Sequence, residues 1–201
     1  MRAEKRKTEV RREQIAEATL RLIGAEGMKG LSVAKIARRV GVVPSALYRH
    51  FRNKDEVLDA VLELVGDKML ANVRTVTAAT DDPLERLEKL LMRHIDLVRR
   101  NQAIPRVVFS EDVSGGDARR RRKAYDMVRR FLDAVTDIVA QGQARGVIRT
   151  DLAAENIALL YFGLIQPGAV LWHLSGGRFD ITRRARENWQ VVKAAIEHRR
   201  E

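Results

Sequence analysis

The stretch that decides the fold runs from Leu31 to Lys54 and reads LSVAKIARRVGVVPSALYRHFRNK. Apolar residues recur at helical spacing before Gly41, and a second short apolar pattern follows Pro44. Glycine can adopt the positive φ of a tight turn, and proline is favoured in the first turn of a helix. The stretch therefore predicts two short helices, from about Ser32 to Val40 and from Pro44 to Phe51, joined by a turn at Gly41.

Helices are expected on both sides of this pair. One is predicted from about Thr8 to Glu26, preceded by a short basic arm of residues 2–7. Asn53, with Glu56 three residues later, has the pattern of a capping box that opens a fourth helix. Two short helices joined by a glycine turn form a helix-turn-helix, whose second helix fits the major groove of double-stranded DNA. The segment is therefore predicted to bind DNA.

The residues of this motif also resemble those of a known family. The resemblance is carried by Ser32-Val33, Ile36-Ala37, Val40-Gly41-Val42, Leu47-Tyr48-Arg49-His50-Phe51, Asn53-Lys54 and Leu58. Over about Glu13–Leu62 the chain is similar to the DNA-binding domain of TetR-family transcriptional repressors. The remainder resembles that family in length and helix layout. The resemblance implies a dimer whose larger helical domain binds a small effector.

We predict contacts to a double-stranded DNA operator from nine residues: Ser32, Val43, Pro44, Ser45, Ala46, Tyr48, Arg49, His50 and Lys54. In the family, the positions that match Ser32, Tyr48, His50 and Lys54 contact phosphates. Arg49 has two alternatives: it reads a guanine edge with two hydrogen bonds, or it contacts only phosphate. Phe51 is assigned to the core. Because Val43 and Ala34 depart from the polar residues common in the family, base reading is expected from Ser45, Ala46, Arg49 and DNA shape.

Composition is consistent with a DNA-binding protein. The 201 residues carry a net charge of +11, with 14 Lys/Arg and 8 Asp/Glu among the first 60, against 24 and 19 in the remaining 141. A positive balance favours polyanions. The chain has no cysteine, which excludes disulfides and thiolate metal sites. No signal peptide, uninterrupted membrane span, metal motif or cofactor motif is found, so we expect a cytoplasmic protein that is not an enzyme.

The rest of the chain also shows helical periodicity, so the predicted fold is all-α. We predict a helix-turn-helix domain at 1–60 and an effector-binding and dimerisation domain at 61–201. One apolar stripe follows Leu84, Leu87, Leu91, Ile95 and Val98. A second, on a long helix ending near Arg145, follows Tyr125, Val128, Leu132, Val135 and Val139. Two closing helices are predicted at about 152–174, kinked at Pro167, and 181–199.

The larger domain is predicted to hold a mostly apolar effector between its helices. The candidate lining residues are Leu91, His94, Ile95, Val108, Phe109, Tyr125, Val128, Phe162 and Gln166. The alternative is that these residues are simply packed core. The helices at about 152–174 and 181–199 are expected to form a twofold dimer interface, with Trp172 and Trp189 as anchors.

The basic run at 119–123, Arg-Arg-Arg-Arg-Lys, has two interpretations. It is either a solvated helix start without a clear role in stability or a second polyanion contact. Taken together, the sequence predicts a ligand-responsive, dimeric DNA-binding repressor of a near-palindromic operator. Two alternatives stay open: an architectural DNA-binding protein without an effector, and a helical enzyme whose N-terminal segment is incidental.

Overall fold

The computed structural model describes residues 2–101, 103–108, 110, 113 and 117–198. These residues form ten α-helices in chain order: α1 (Arg2–Glu26), α2 (Val33–Val40), α3 (Pro44–Tyr48), α4 (Lys54–Ala79), α5 (Pro83–Arg100), α6 (Ala103–Val108), α7 (Ala118–Ala144), α8 (Ala154–Gly163), α9 (Gln166–Leu174) and α10 (Ile181–Ile196). Within this described part of the chain, β pairing is limited to an isolated bridge between Ile148 and Glu197. The prediction of an all-α fold is confirmed.

The chain divides into two compact units. Unit 1 comprises Met1–Asp67 and Asn101–Met127, and unit 2 comprises Lys68–Arg100 and Val128–Glu201. Two of the three divisions fall inside α4 and α7, so each of these long helices contributes residues to both units. Neither unit is therefore one continuous piece of the chain.

The core of unit 1 lies beneath the helix-turn-helix. The side chains there that are at most 1% exposed include Ile15, Leu20, Ile23, Ile36, Ala37, Leu47, Phe51, Val57, Leu58 and Val61. Burying one large aliphatic or aromatic side chain contributes roughly 1.5–3 kcal/mol. This core fixes α2 and α3 on α1 and the first turns of α4. The assignment of Phe51 to the core is confirmed.

The first helix is longer than predicted. It begins at Arg2 rather than near Thr8, so the prediction of a non-helical basic arm is wrong. Residues 2–7 contain neither glycine nor proline, and their Arg, Ala, Glu and Lys residues are strong helix formers. Nothing in this segment ends a helix, and α1 extends through it.

In unit 2 the predicted stripe of α5 is confirmed, because Leu84, Leu87, Leu91, Ile95 and Val98 are all buried. The stripe of α7 is in part wrong.

The buried positions of α7 include Met127, Phe131 and Val135, whereas Tyr125 is 63% exposed. Met127, Phe131 and Val135 follow i, i+4 spacing. Tyr125 lies two residues before Met127, about 200° around the helix, and therefore points away from this stripe.

The predicted helix at 152–174 is broken rather than kinked. α8 ends at Gly163, α9 begins at Gln166, and the N–H groups of Leu164 and Ile165 donate to carbonyls three residues back, at 3.0 and 3.1 Å. Pro167 lies in the first turn of α9. A proline ring clashes with the carbonyl four residues earlier, here that of Gly163, so an unbroken helix through this point is disfavoured.

The last helix is shorter than predicted. α10 ends at Ile196, because Glu197 is extended (φ −62°, ψ 136°) and pairs with Ile148. Arg199, the predicted end, lies outside the described residues. At the other end, Asp180 caps the helix by accepting the Arg183 backbone N–H at 3.0 Å.

Both tryptophans face the interior of the protomer. Trp189 is fully buried and lies edge-on to Tyr161, with ring centroids 6.3 Å apart, and Trp172 is 8% exposed. The Tyr161 hydroxyl donates to the Leu87 carbonyl at 2.9 Å. The prediction that Trp172 and Trp189 anchor a dimer is therefore wrong, because each is already packed within its own chain.

Other apolar side chains near α8, α9 and α10 do remain exposed. We call them the exposed apolar group: Leu152, Leu159, Leu160, Val170, Leu171, Leu174 and Val191. By length and composition, Ala154–Leu174 is apolar enough to cross a membrane, with a mean hydropathy of 1.5, and 33% of it is buried. Core helices of soluble proteins pass the same test, and here the stretch consists of two helices separated by a turn.

Candidate nucleic-acid interface

The first helix of the motif, α2, starts where predicted. Ser32 is extended (φ −138°, ψ 156°), and its Oγ accepts the Lys35 backbone N–H at 3.3 Å, as an N-cap residue does. Ser32 is exposed, so a phosphate oxygen can approach its hydroxyl at the helix N-terminus. The Lys35 ammonium lies 2.8 Å from a Glu26 carboxylate oxygen, and this hydrogen bond lowers the pKa of Glu26.

The turn between the two short helices depends on Gly41. Its φ of 75° and ψ of 35° lie in the left-handed region, which a residue with a side chain adopts only with strain. The Gly41 N–H donates to the Arg38 carbonyl at 3.2 Å, and the Val42 N–H donates to the Ala37 carbonyl at 2.9 Å. These bonds cap α2 and set the direction in which the chain enters α3.

The second helix of the motif, α3, is shorter than predicted, at Pro44–Tyr48 rather than Pro44–Phe51. Pro44 occupies its first turn, as expected. The N–H groups of His50 and Phe51 both donate to the Leu47 carbonyl, at 2.9 and 3.0 Å. The chain closes the helix here because Phe51 turns into the core, where it is 1% exposed.

α3 directs one side chain inward and most of the others outward. Leu47 is fully buried, whereas Val43 and Tyr48 are 62% and 53% exposed. Val43 precedes the helix and makes no capping hydrogen bond with its side chain. The other predicted contact residues of this segment are exposed or half-buried: Pro44, Ser45, Ala46, Arg49 and His50. The structure thus brings these predicted DNA-binding residues onto one short, outward-facing segment.

Arg12 of α1 holds the end of this segment, and the sequence did not indicate its role. Its guanidinium carbon lies 4.2 Å from the centroid of the Phe51 ring, a cation–π arrangement. Its Nη1 also donates a short hydrogen bond to the His50 carbonyl. Arg12 is separated from His50 by 38 residues, so no local sequence pattern could have found this contact.

The His50 side chain is half-buried among cations. Burial lowers the pKa of His50, and the positive charges of Arg11, Arg12 and Arg49 lower it further. Its buried Nδ1 has no hydrogen-bond partner within the described residues. An arriving phosphate would counter the repulsion from these guanidinium groups. His50 is therefore placed to hydrogen-bond, and to take up a proton, when an anion binds.

The predicted capping box forms with one difference. Asn53 Oδ1 accepts the Glu56 N–H at 2.9 Å, as expected, but the Glu56 carboxylate accepts the N–H of Arg52 at 2.9 Å rather than that of Asn53. The cap fixes the start of α4. Lys54, the predicted phosphate contact, is the first residue of that helix and is half-buried.

The basic run at 119–123 is not merely a solvated helix start. Arg120 is 4% exposed, and its guanidinium lies 2.8 Å from Asp55 and 3.3 Å from Asp59. Lys123 lies 3.1 Å from Asp59 and 2.9 Å from Glu63. The expectation that the run has no role in stability is wrong, because two of its members tie the start of α7 to the start of α4 within unit 1. Breaking a buried ion pair from one side is destabilising by roughly 3–5 kcal/mol.

Five of the predicted effector residues lie in unit 2 with buried or half-buried side chains: Leu91, His94, Ile95, Phe162 and Gln166. The His94 ring is 5.1 Å from Phe131, which is 6.0 Å from Phe162, so these form one aromatic cluster. His94 is 4% exposed, and burial lowers its pKa to about 4.

The other four effector candidates are placed differently. Val128 is half-buried in unit 2, Val108 and Tyr125 fall in unit 1, and Phe109 lies outside the described residues. Because Tyr125 is exposed, its prediction as an interior lining residue is wrong. The predicted stripe of this helix has the correct period. The buried residues in its first part are Met127 and Phe131 rather than Tyr125, Val128 and Leu132, whereas Val135 and Val139 are buried as predicted.

Comparison with known proteins identifies the family. Residues 15–61 match the family model described as bacterial regulatory proteins, tetR family. Residues 63–195 match the model described as the C-terminal region of YsiA-like proteins. Together the two matches cover both the helix-turn-helix and most of the remaining chain.

Individual relatives match over nearly the whole length. The chain is 28% identical over 190 residues to the HTH-type transcriptional repressor KstR2 of Mycobacterium tuberculosis, covering 92% of each chain. It is 23% identical over 187 residues to the nucleoid occlusion factor SlmA of Vibrio vulnificus, covering 92% of this chain and 95% of SlmA. The fold is similar to that of FadR from Bacillus subtilis, solved with stearoyl-CoA, with a TM-score of 0.77 at 20% identity over 91% of this chain and 98% of FadR.

The geometry and the family match both indicate a helix-turn-helix motif. A short helix with an outward polar and basic face follows a glycine turn, and the family model covers the whole of that motif. The chain therefore belongs to the tetR family of bacterial regulatory proteins, and it is a helix-turn-helix transcriptional regulator.

Proposed function

We propose that the protein is a homodimeric repressor that binds a near-palindromic operator with α3 in the major groove and is released by a small, mostly apolar effector. The observation that carries this proposal is the outward face of α3, supported from beneath by buried Leu47 and Phe51. A helix of this width enters the major groove, and a twofold dimer presents two such helices to two half-sites. The proposal places the protein in the cytoplasm, with the DNA.

The residues of the interface divide into two groups. Ser45, Ala46 and Arg49 are proposed to meet base edges, where a bidentate arginine–guanine contact discriminates by roughly 1–3 kcal/mol. The others are proposed to position the helix against the sugar–phosphate backbone: Ser32, Val43, Pro44, Tyr48, His50 and Lys54. Exposure of Tyr48 and the cationic surroundings of His50 support this division. DNA binding is assigned to residues 1–60, and effector binding and dimerisation to residues 61–201.

The effector is proposed to bind in unit 2 beside the aromatic cluster. Leu91, Ile95 and Phe162 would contact its apolar body, and His94 and Gln166 would orient its polar atoms. The buried Nδ1 of His94 has no hydrogen-bond partner within the described residues, which supports its role as a ligand contact. The FadR relative is solved with stearoyl-CoA, a ligand with a long apolar chain, which makes acyl compounds a reasonable first class to test.

The dimer is proposed to form through the helices at about 152–174 and 181–199. The exposed apolar group supports this, since Leu159, Leu174 and Val191 are 60%, 76% and 70% exposed in one protomer. Pairing the same surface on two copies would remove these side chains from water in a twofold interface. The anchors are thus leucines and valines rather than the tryptophans.

Release from DNA is proposed to be a population shift. The effector would bind more tightly to a dimer whose two α3 helices are spaced wrongly for the operator. By linkage, the operator then weakens effector binding by the same factor. An effector with equal affinity for both forms would fill the site and change nothing.

The proposal is tested by selecting bound sequences from a pool of random DNA duplexes with the wild-type protein. We expect enrichment of an inverted repeat. Arg49→Ala is expected to weaken binding to the enriched site roughly 5- to 150-fold and to relax selectivity at one position of each half-site.

The salt dependence of Arg49→Ala separates the two alternatives for this residue. An unchanged salt slope places Arg49 on a base, and a slope lowered by about one places it on a phosphate. Regulation is tested separately, by titrating acyl-CoA thioesters and free fatty acids against the operator complex. If no compound that binds unit 2 changes operator affinity, the regulatory part of the proposal is wrong.

A second candidate function is architectural DNA binding without an effector. The similarity to SlmA, a nucleoid occlusion factor, favours this alternative. This function predicts that the selection enriches sequences only weakly and that DNA affinity comes mainly from salt-dependent phosphate contacts. It also predicts that no compound in the titration changes DNA affinity. The same two experiments therefore separate the candidates. The family match to regulatory proteins gives no support to the helical-enzyme alternative.

A further inference from the structure

A groove in unit 1 connects the α3 segment with the start of α7. It has a volume of about 570 Å³. Tyr48, Arg49 and His50 line it from the predicted DNA-binding segment, and Arg119 and Lys123 line it from α7. Three carboxylates of α4 also line it: Glu56, Asp59 and Glu63. The groove is therefore continuous with the proposed DNA interface and carries charges of both signs.

The carboxylates in the groove are already matched by cations. Lys123 lies within 3.1 Å of both Asp59 and Glu63, and Glu56 lies 3.6 Å from Arg52. Asp59 is shared with the buried Arg120. Because these acids are matched, they repel an incoming polyanion less than their number suggests.

Arg119 differs from its neighbours in the run. It is exposed, whereas Arg120 is buried against Asp55 and Asp59. The Arg120 pairs fix the first turn of α7, and Arg119 is the preceding residue, about 100° around the helix. Arg119 is therefore held at the edge of the groove by a neighbour whose position is set by two ion pairs.

We propose that Arg119 binds a backbone phosphate of the same duplex that α3 contacts, so that the start of α7 is part of the DNA interface. Arg120 and Lys123 are positioning residues in this interface. A phosphodiester chain passing Tyr48 and His50 is directed along a groove whose exposed cations include Arg49, Arg52 and Arg119. This inference rests on the proposed function, because it requires α3 to bind duplex DNA.

The experiment compares Arg119→Ala with Arg121→Ala. Arg121 is also exposed and belongs to the same run, but it lies about 200° around α7 from Arg119 and does not line the groove. Both variants remove one exposed positive charge and place a strong helix former in α7. Binding of each protein to the enriched operator and to a random duplex is measured by fluorescence anisotropy from 50 to 200 mM salt.

Arg119→Ala is expected to lower the magnitude of the salt slope by about one on both duplexes. Over this fourfold salt range, the affinity of the variant should therefore fall roughly 3.5-fold less than that of the wild type. The ratio of operator to random affinity should stay unchanged, because a phosphate contact carries no sequence information. Arg121→Ala should keep the wild-type slope.

Equal slopes for Arg119→Ala and the wild type, or equal effects of the two variants, would overturn the inference. A change in sequence preference by Arg119→Ala would also overturn it, since the contact would then be to a base. Failure of the wild type to enrich any sequence is a different result. It would contradict the proposed repressor function. The salt slopes of binding to the random duplex would still decide whether Arg119 contacts a phosphate.

Discussion

At the scale of single residues, the notable groups are polar atoms placed where they lack an ordinary partner. His94 is almost completely buried beside Phe131, and its Nδ1 has no hydrogen-bond partner within the described part of the chain. His50 is half-buried among guanidinium groups, and its Nδ1 is likewise without a partner there. A buried polar atom without a hydrogen bond is unfavourable by about 1–3 kcal/mol. Both sites have properties expected of positions that receive a ligand.

We predict that His94 makes the protein sensitive to acid. Burial lowers its folded-state pKa to about 4, against 6.5 for an ordinary histidine. Above pH 6.5 neither the folded nor the unfolded state carries a proton there. As the pH falls from 6.5 to 4, only the unfolded state takes one up, so His94 should reduce the free energy of unfolding by up to about 3 kcal/mol. Urea titrations between pH 7 and pH 4.5 measure this loss.

The matched variants are His94→Leu and Ile95→Val. His94→Leu should be destabilised less than the wild type as the pH is lowered, because the group that takes up the proton is gone. Ile95→Val should lose a constant amount, about 1 kcal/mol, at every pH. Parallel pH profiles for His94→Leu and the wild type would show that His94 is not the group responsible.

At the scale of elements, α3 is too short to hold its own position. Five residues form little more than one turn, and an isolated helix of that length is not stable in water. Its position depends on Leu47 and Phe51 in the core, on Gly41 at one end and on Arg12 at the other. The precision of DNA contact is therefore set by residues that need not touch DNA.

We predict that Arg12→Ala weakens operator binding at least tenfold. The variant loses a charge-assisted hydrogen bond to the His50 carbonyl, worth roughly 1.5–3 kcal/mol, and a cation–π contact with Phe51, worth roughly 0.5–1 kcal/mol. Faster hydrogen exchange at the amides of residues 50 and 51 should accompany the loss. Anisotropy with the enriched operator measures the affinity.

Two controls separate this positioning effect from simple loss of charge. Arg11→Ala removes a neighbouring positive charge but leaves the contacts of Arg12 with His50 and Phe51 intact. We therefore expect only a few-fold loss of operator affinity. Arg12→Lys keeps the charge but loses the planar guanidinium that stacks and donates. If Arg12→Lys binds the operator as tightly as the wild type, the guanidinium contacts of Arg12 do not determine operator affinity.

The features of the helices that could be predicted from the sequence are those set by local contacts. Ser32, Gly41, Pro44, Asn53 and Glu56 act on backbone atoms within four residues, and each was found from local pattern alone. The length of α3 was overestimated, because Phe51 ends it by entering a core that other helices supply. Tyr125 was misplaced because two stripes, one through Val128 and one through Met127 and Phe131, both lead to Val135 at helical spacing.

The missed contacts that shape the interface join residues far apart in the chain. Arg12 reaches His50 across 38 residues, and Arg120 reaches Asp59 across 61. A run of arginines gives no sign of which member will find a carboxylate and which will remain exposed. Only the packing of α7 beside α4 separates Arg120 from Arg119, and no periodicity in either helix contains that information.

At the scale of the whole molecule, the exposed apolar group is the main feature of one protomer left without a partner. Six of its seven members come from α8, α9 and α10, and the seventh, Leu152, lies just before α8. Isolated apolar residues on a surface need no explanation, but a contiguous patch formed by this many would mark an interaction surface. A second copy of the chain is the partner proposed above.

We predict that the double variant Leu174→Glu, Val191→Glu is a folded monomer. Each chain would bring two carboxylates into the twofold interface, where none of them would have a partner, so dimer affinity should fall by at least ~100-fold. Sedimentation equilibrium should give twice 22.8 kDa for the wild type and a single chain mass for the variant. The variant should also lose its preference for an inverted repeat over a single half-site.

The control is Val10→Glu, which introduces the same charge at an apolar side chain that is 47% exposed on α1. It should remain a dimer. A dimeric double variant with helical content like that of the wild type would show that these residues do not form the interface.

If the exposed apolar group forms the dimer interface, it has a consequence for the living cell. Assembly of two chains is second order, so at low abundance the paired form declines faster than the total amount of protein. A cell that inherits half the usual number of copies would retain less than half of the paired form. Through this surface, control of the target genes would respond steeply to gene dosage and to dilution by growth.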